Sequence, residues 1–351
     1  MSNYNPFNPN SVVAPSLFAG RAGQVDEICK KLTQLQHNMP ASFFIYGERG
    51  IGKTALAKLI KHIASSDIEA LWSLNLLTSY YIVEKGQSLN SVLQESVNNL
   101  TDQMDKSLVS EIGNRLGQIF KNGKFEIGAF GASASVETQA SEKQQEITIK
   151  DQTVSILSNI IRSLNENKSS PQDGILIIID EIHNLANLPN AASILRNIIT
   201  SLDVDGLGKI SFLIIGYEDD LKQFFSIDSS SLRTFDTKPV DIMPVAEAIE
   251  VLKKGFDAAE VKYDESAIVT NIGAAGGYPH SIQLLGHNLI EKDTDGNIDT
   301  ADWGNVLIDT ALELQEKDFS TMYTFRKKHT EKDKLLVILA NENKPLSRLK
   351  L

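Results

Sequence analysis

The stretch that most constrains this chain is residues 47–54, Gly-Glu-Arg-Gly-Ile-Gly-Lys-Thr. It fits the pattern G-x-x-x-x-G-K-[ST] at every specified position. A short apolar and aromatic run, residues 41–46, precedes it and predicts a buried strand. Apolar side chains with the spacing of an amphipathic helix follow it, at Leu56, Leu59, Ile60 and Ile63. A strand, a glycine-rich loop and a helix N-terminus form a phosphate cradle, so the segment predicts a P-loop nucleotide site.

The P-loop pattern assigns roles to individual residues. Lys53 would reach the β- and γ-phosphates of a bound triphosphate and assist catalysis, and the Thr54 hydroxyl would ligate Mg²⁺. Glycines let the backbone approach the phosphates closely. The residues predicted to contact the nucleotide in this segment are Gly47, Glu48, Arg49, Gly50, Ile51, Gly52, Lys53, Thr54 and Ala55.

Two acids end a second informative stretch, residues 175–181, Ile-Leu-Ile-Ile-Ile-Asp-Glu. A continuous apolar run is typical of a parallel strand buried on both faces. Acids at its carboxyl end lie where ligands bind in open α/β sheets. The stretch is therefore predicted to be a Walker B motif, in which Asp180 holds Mg²⁺ and Glu181 orients and deprotonates the attacking water.

Predicted strands and helices alternate through the first two thirds of the chain. The later strands are residues 210–216 and a short fifth strand at Val240. This alternation favours an α/β fold with a parallel, doubly wound five-stranded sheet. After residue 242 predicted helices follow one another, which indicates a small α-helical lid domain. We expect an N-terminal arm at 1–21, a P-loop core at 22–242, the lid at 243–320 and a basic tail at 321–351.

Composition restricts the classes of protein that fit. The formal charge of −11 argues against a general nucleic-acid coat, and a single cysteine excludes an intramolecular disulfide. No apolar run approaches the roughly 18 residues of a membrane span, and the polar first residues have no signal-peptide pattern, so we expect a cytoplasmic protein without a membrane partner. Residues 321–351 carry eight Lys or Arg against three Asp or Glu. That tail is either a solvated charged face or a surface for docking nucleic acid or a partner.

The ensemble resembles the AAA+ P-loop ATPases, closest to the origin-recognition and archaeal initiator proteins and the related STAND NTPases. The two Walker motifs carry most of the resemblance, which covers residues 12–320. Residues 15–21, Pro-Ser-Leu-Phe-Ala-Gly-Arg, are similar to the P-x-x-F-x-G-R box before the nucleotide pocket. Residues 231–235, Ser-Leu-Arg-Thr-Phe, lie where such proteins carry an arginine finger. Residues 276–280, Gly-Gly-Tyr-Pro-His, are similar to the G-G-x-P-R start of the sensor 2 helix.

The resemblance implies further site residues. Phe18 would contact the base, Pro279 and His280 would approach the nucleotide, and Arg233 would act in trans on the γ-phosphate of a neighbouring subunit. Arg196 is a weaker second candidate for that role. Arg233 has an alternative reading as a surface arginine, and His280 as a helix-start residue that never touches nucleotide.

The chain departs from the family pattern at both sensors. His280 stands where the family has arginine, and it lacks the permanent planar charge of that residue. Sensor 1, a polar residue in the family, is Gly216-Tyr217 here, so the resemblance offers no residue there to position the lytic water.

The path between Thr54 and Asp180 is longer than a minimal helix, strand and helix require. We infer an insertion at about residues 88–150, which contains a helical part at 88–120 and a β-hairpin or extended excursion at 124–137. Its role is open, and contact with a partner or DNA is one hypothesis. In initiator relatives a winged-helix domain follows the lid. Residues 321–351 are too few for a complete one, so this segment is either a basic C-terminal tail or an incomplete winged helix.

The preferred function is an AAA+ ATPase that binds and hydrolyses Mg-ATP, slowly without a partner, to drive assembly of a homo-oligomer and engagement of a protein partner or DNA. DNA transactions and bacterial or antiviral defence both fit the motifs. The alternative is a STAND-like nucleotide-binding switch or scaffold with little turnover. A third reading is a DNA-binding loader. Adenine rather than guanine rests on the resemblance alone, because the sequence has no guanine-reading motif.

Overall fold

The structure, a computed structural model, describes residues 4–11, 18–68, 70–121, 124–127, 142–166 and 172–314 of the 351-residue chain. The predicted basic tail at 321–351 lies outside the described residues. So do the end of the predicted lid, the first three residues of the box at 15–21 and most of the stretch at 124–137.

The first part of the chain contains the sheet. Its elements, in chain order, are α1 (Ala22–Leu32), β1 (Ser42–Tyr46), α2 (Lys53–Ala64), β2 (Leu76–Ile82), α3 (Leu89–Thr101), α4 (Lys106–Leu116), β3 (Phe120–Lys121), β4 (Lys124–Phe125), α5 (Glu142–Glu166), β5 (Gly174–Asp180), α6 (Leu188–Val204), β6 (Ile210–Gly216), α7 (Glu218–Phe224) and β7 (Phe235–Pro239). Two short 3₁₀ turns, Ile182–Asn184 and Ser229–Arg233, carry functional candidates.

The second part is the helical lid. It contains α8 (Val245–Ala258), β8 (Lys262–Tyr263), α9 (Glu265–Asn271), α10 (Pro279–Lys292), β9 (Asn297–Ile298) and α11 (Thr300–Leu314), and β8 pairs with β9.

Five strands form one sheet in the order β2-β5-β6-β1-β7. Each neighbouring pair runs parallel, and the register places Tyr46 beside both Gly216 and Pro239. On the other side of β5, Ile82 of β2 lies beside Asp180. The carboxyl ends of all five strands therefore meet at one edge of the sheet, where a ligand site is expected in an open α/β fold.

The burial of β5 shows why the sheet is covered on both faces. Ile175, Ile177 and Ile179 join one apolar core, and Leu176 and Ile178 join the other. The first core also contains side chains of α3, α5 and α6, and the second contains side chains of α1 and α2. Successive side chains of a strand point to opposite faces, so an uninterrupted apolar run requires helices on each side. The predicted doubly wound α/β fold is confirmed.

The predicted fifth strand was misplaced. The strand is Phe235–Pro239, and Val240 follows it rather than forming it. This strand lies at the edge of the sheet and carries polar side chains. Two of them pair with α1: Asp236 forms an ion pair with Lys31, and Lys238 forms one with Glu27. An edge strand of this kind has no continuous apolar run, so hydrophobic patterning did not identify it.

The segment predicted as an insertion begins with two helices rather than one helical stretch. Ser88 caps α3 by accepting a hydrogen bond from the Ser91 backbone N–H at 3.2 Å. A short hairpin, β3 with β4, follows α4, earlier in the chain than the predicted one. Val97 of α3, Ile112 of α4 and Phe125 of β4 belong to the same core as β5. The described part of this segment therefore packs against the sheet.

The N-terminal segment, residues 4–11, is built into the lid. The Phe7 side chain is 3% exposed and meets Phe256 edge to face, with the ring centroids 5.6 Å apart. A Cβ atom added to Gly255 of α8 would lie 2.0 Å from the Phe7 ring, and one added to Gly286 of α10 would lie 2.6 Å from it. Glycine at both positions thus forms a socket that a larger residue would fill.

Polar contacts extend this attachment. Asn5 donates to the His287 carbonyl at 3.2 Å and to the Glu291 carboxylate at 3.1 Å. The Asn8 backbone N–H donates to the Gln283 side chain at 3.3 Å. The predicted extended arm is thus, over residues 4–11, a component of the lid core. Within the described residues, no helix has the length and apolar character that crossing a membrane requires.

Replacing Phe7 with Ala should destabilise the protein by about 3 kcal/mol, because it removes a buried ring and leaves a cavity between α8 and α10. The measurement is chemical or thermal unfolding without nucleotide. Tyr4→Ala is the matched control, because Tyr4 is an exposed aromatic residue of the same segment. Equal unfolding midpoints for the two variants would contradict the socket.

Candidate functional site

The glycine-rich loop has the backbone that its sequence predicts. It leaves β1 after Tyr46 and enters α2 at Lys53. Gly50 and Gly52 have φ angles of 74° and 93°, in the left-handed region that glycine adopts without a steric penalty. Gly52 is the N-cap residue of α2 and has no side chain that could cap the helix. Backbone N–H groups of the first helical turn are therefore available for an anion at this end.

Lys53 lies inside the loop. Its Nζ donates to the carbonyl oxygens of Gly47 at 2.9 Å and Glu48 at 2.8 Å, and it stands 4.5 Å from the centroid of the Tyr217 ring. Burial lowers the Lys53 pKa, while Glu181, Asp180 and Asp220 oppose that shift through their negative charge. The ammonium group is thus held over the loop by carbonyl and ring contacts that a phosphate group could replace.

The two predicted metal ligands are in contact. The Thr54 hydroxyl donates to Asp180 Oδ2 at 2.8 Å, although the residues are 126 positions apart. Asp180 is buried, and its Oδ1 accepts the Glu181 backbone N–H at 2.8 Å. The folding of the sheet therefore places the end of β5 against the first turn of α2.

Tyr80 completes the surroundings of Asp180 and was not among the predicted site residues. Its hydroxyl donates to Asp180 Oδ2 at 2.6 Å. Burial and the neighbouring Asp180 charge raise the Tyr80 pKa far above its usual range, so the phenol stays protonated and remains a donor. The sequence marked this tyrosine only as part of a strand. Tyr80 reaches Asp180 because β2 lies next to β5 in the sheet, and the order of the strands is not visible in the sequence.

Glu181 has a left-handed backbone, with φ 56° and ψ 44°. Such a conformation costs a non-glycine residue about 1–2 kcal/mol and is typical of functional positions. The Glu181 side chain is 40% exposed, and its Oε2 lies 3.3 Å from His183 Nε2. The predicted catalytic carboxylate is therefore turned out of the strand into an accessible space.

That space is an open cavity of about 710 Å³. Its lining brings the P-loop, the acid after β5, the start of α10 and the N-terminal segment together: Asn8, Asn10, Ser11, Arg49, Gly50, Gly52, Lys53, Thr54, Ala55, Glu181, His183, Tyr217, Pro279, His280 and Gln283 are among the residues that line it. A second cavity, of about 720 Å³, lies on the other flank of the loop and is lined by Glu48, Asp219 and Asp241 among others. Lys53 and Thr54 line the first cavity, so the residues predicted to bind phosphate and Mg²⁺ face the first cavity.

A small apolar hollow of about 40 Å³ adjoins this cavity. Phe18, Ala55 and Pro279 line it together with Met243 and Gln283. Phe18 is thus placed beside the P-loop helix and the lid, as expected for a residue that faces a base. The hollow is much smaller than the cavity.

The lid touches the P-loop through three consecutive residues. The Tyr278 hydroxyl donates to the Glu48 carboxylate at 2.5 Å. Pro279 packs on Gly52, where an added Cβ would lie 3.5 Å from the proline ring, and His280 lies opposite Gly50. The predicted sensor 2 residues therefore reach the nucleotide-binding loop.

Arg21 ties three parts of this site together and was predicted only as the last residue of a sequence box. Its guanidinium is 6% exposed and donates to the Ile51 carbonyl at 2.6 Å and to the Asp241 carbonyl at 3.1 Å. Its backbone N–H donates to Glu247 of α8 at 2.9 Å. Burial lowers the Arg21 pKa, and the charges of Glu247 and Asp241 oppose the shift.

Arg233 lies away from this cavity. It ends the 3₁₀ turn Ser229–Arg233 just before β7, and its side chain is exposed. Since Phe235 lies beside Ser42 at the start of β1, Arg233 stands at the edge of the sheet opposite to its own P-loop. Arg196 is engaged nearby, because its Nε is 3.1 Å from Asp228 Oδ2.

These residues fit Mg²⁺ and a nucleoside triphosphate. The cavity offers helix N-terminal N–H groups and a lysine for phosphate oxygens, and a hydroxyl beside one carboxylate for the ion. Among the described residues no group of three or more His, Cys, Asp or Glu side chains could hold a metal. Mg²⁺ bound with a nucleotide does not need such a group, because it keeps several waters and takes one or two carboxylates plus phosphates.

The comparison with protein families follows this geometry. A family model described as the AAA ATPase domain matches residues 17–206, which is more than half of the chain. The chain belongs to the AAA ATPase domain family. The predicted AAA+ membership is thereby confirmed. No curated protein matches the sequence of this AAA ATPase.

Solved structures with a similar fold include the ORC2 protein of Aeropyrum pernix. In its ADP form it has a TM-score of 0.55 and 14% identity, and the match covers 88% of this chain and 73% of that chain. In its ADPNP-ADP complexes the TM-score is 0.51, the identity 15% and the coverage 87% and 71%. The Walker-type ATPase paby2304 of Pyrococcus abyssi has a TM-score of 0.47 and 14% identity over 86% and 75% of the two chains. At these identities the ORC2 likeness shows a shared fold.

Arg21→Lys should destabilise this AAA ATPase by about 1–3 kcal/mol, because an ammonium cannot replace both guanidinium hydrogen bonds and a buried carbonyl loses its donor. Thermal unfolding without nucleotide measures the effect. Arg115→Lys is the matched control, because Arg115 is exposed on α4 and its ion pair with Glu111 tolerates lysine. Equal losses in the two variants would show that the guanidinium hydrogen bonds to Ile51 and Asp241 do not stabilise the fold.

Proposed function

We propose that this chain is a Mg²⁺-dependent ATPase whose ATP-bound state assembles with further copies of itself. The observation that carries the proposal is the arrangement of Lys53, Thr54 and Glu181 around one cavity, with Asp180 hydrogen-bonded to Thr54 and His280 of the lid at the cavity wall. The Walker residues hold the nucleotide and the ion, and the lid contacts respond to their presence. The same proposal assigns residues 22–242 to the core, with the segment at 88–150 as an insertion, and residues 243–320 to the lid.

Each residue has a distinct task in the proposed reaction. Lys53 exchanges its carbonyl contacts for the β- and γ-phosphate oxygens. Thr54 and Asp180 would hold Mg²⁺, which neutralises charge on the phosphates when bound. Glu181 takes a proton from the water that attacks the γ-phosphorus. The bond between that phosphorus and the β–γ bridging oxygen breaks, which leaves ADP and inorganic phosphate.

Assembly is supported by the position of Arg233. An arginine at the far edge of the sheet cannot serve the P-loop of its own chain, but it can face the cavity of a neighbouring copy. Ile227 is 64% exposed and Leu232 is 51% exposed, so apolar side chains flank the arginine. Exposed apolar residues beside an arginine are typical of protein interfaces.

The turn that presents Arg233 is held firmly. Asp228 accepts the Ser231 hydroxyl at 2.9 Å and the Ser230 backbone N–H at 3.0 Å, and it pairs with Arg196. Ser231 is fully buried. Arg196 therefore supports the turn, and the exposed Arg233 is the residue that we assign to the neighbouring nucleotide.

A nucleotide switch with little turnover is the second candidate function. Two observations favour it. His280 stands in place of the sensor 2 arginine. In addition, β6 ends at Gly216 and is followed by Tyr217 rather than by a short polar side chain. In that case the protein binds Mg-ATP through the same residues and acts as a scaffold for a protein partner or DNA. Measured turnover separates the two functions.

Glu181→Gln should retain ATP binding and lower turnover by about 10²–10⁴-fold, because the amide cannot accept the proton of the attacking water. Lys53→Ala should lose ATP binding, because it removes the cation at the phosphates. Calorimetric titration with ATP and a phosphate-release assay measure the two quantities. If the wild type turns over ATP slowly and Glu181→Gln has the same rate, the result would favour the nucleotide switch with little turnover.

Mixing two inactive variants should restore ATPase activity if Arg233 acts in trans. Arg233→Ala keeps its own Glu181 and receives an arginine from a Glu181→Gln neighbour, so mixed interfaces contain one complete site. Light scattering after size exclusion, with and without a slowly hydrolysed ATP analogue, reports assembly of each variant. Arg115→Ala, an exposed arginine elsewhere, is the control and should match the wild type. If light scattering shows that the variants assemble but their mixture is as inactive as each variant alone, Arg233 does not act in trans in catalysis.

A further inference from the structure

His183 lies directly beside the proposed catalytic carboxylate. It belongs to the 3₁₀ turn Ile182–Asn184 that follows Glu181. Its Nε2 is 3.3 Å from Glu181 Oε2, and its Nδ1 is 3.7 Å from Asp220 Oδ2. The Nδ1 atom is buried and makes no hydrogen bond. The imidazole thus stands between two carboxylates at the wall of the nucleotide cavity.

The packing around the His183 ring fixes its position. The ring lies against Tyr217, with centroids 4.9 Å apart and planes inclined by 43°. Tyr217 is itself tied to Asp220, because its backbone N–H donates to Asp220 Oδ2 at 2.6 Å. An added Cβ at Gly216 would lie 2.7 Å from Ile182 and 2.9 Å from Asp220, so the turn and the start of α7 are packed as closely as glycine allows.

Tyr217, which follows β6, places its ring 4.5 Å from Lys53 Nζ and against the His183 ring. The Glu181 backbone is left-handed, its side chain is 40% exposed, and its Oε2 lies 3.3 Å from His183 Nε2. An N–H donated by the imidazole to Oε2 would stop rotation of the carboxylate and keep its other oxygen in one direction.

We infer that His183, packed on Tyr217 and close to Asp220, is a positioning residue that orients Glu181 for the attacking water. The inference rests on the proposed ATPase function. It assigns to His183 no contact with the nucleotide. Loss of the imidazole therefore affects the rate of the chemical step and leaves the affinity for ATP unchanged.

The test is steady-state ATPase kinetics on three variants of the full chain. His183→Ala should lower kcat by about 10- to 100-fold with KM for ATP unchanged, which is the cost of a misplaced catalytic group. His183→Gln should recover most of kcat, because its amide N–H can donate to Glu181. His183→Phe should remain slow, because it keeps the ring packing on Tyr217 without a donor. His37→Ala, an exposed histidine far from the cavity, is the control.

The outcomes separate this inference from the function on which it rests. If the wild type is active, full kcat or a faster rate in both His183→Ala and His183→Phe would overturn the inference alone. A changed KM with unchanged kcat would assign His183 to nucleotide binding and also overturn it. If the wild type and Glu181→Gln are equally inactive, the proposed ATPase fails and the inference fails with it.

Discussion

The parallel register of five strands is the constraint on which this structure depends. Parallel neighbours need a crossover through a helix, and each crossover returns the chain to the same edge of the sheet. Tyr46, Asp180 and Gly216 therefore end their strands within reach of one another, and the loops after them supply the site. The Thr54–Asp180 hydrogen bond is a consequence of this register, since the two residues share no local contact along the chain.

Electrostatics then determine what the edge of the sheet can bind. The charges of Glu181, Asp180 and Asp220 act on the half-buried Lys53, so a cation and several carboxylates lie near one another at this edge. Carboxylates repel a polyanion, and a divalent cation bound beside them would offset that repulsion. Arg21 adds a second buried cation whose partners are carbonyl oxygens of the loop and of the segment before α8. A shift of the lid would therefore change the hydrogen bonding of the P-loop itself.

Short, strict motifs in the sequence were sufficient to predict the fold. Lys53, Thr54 and Glu181 line one cavity and Asp180 contacts Thr54, because the P-loop and an apolar run ending in acids each demand one local geometry. Their roles toward nucleotide and Mg²⁺ stay predictions. Roles for Tyr80, His183 and Arg21 were not predicted. Each depends on a contact between strands or domains that no local pattern encodes. The edge strand β7 was misplaced for a related reason, since its polar side chains are stabilised by ion pairs with α1 rather than by burial.

The Phe7 socket requires two segments that are far apart in the sequence to come together before the core of the lid is complete. Asn5 and His287 are 282 positions apart, yet they belong to one packed unit. The core of the lid is complete only when residues 4–11 pack against it. The two ends of the described molecule therefore fold as one cooperative unit. Closing so long a loop costs only slightly more entropy than closing a medium one, but such distant contacts form late. During synthesis the segment with Phe7 is made before α8 and α10, so its ring has no socket to enter until those helices have been made.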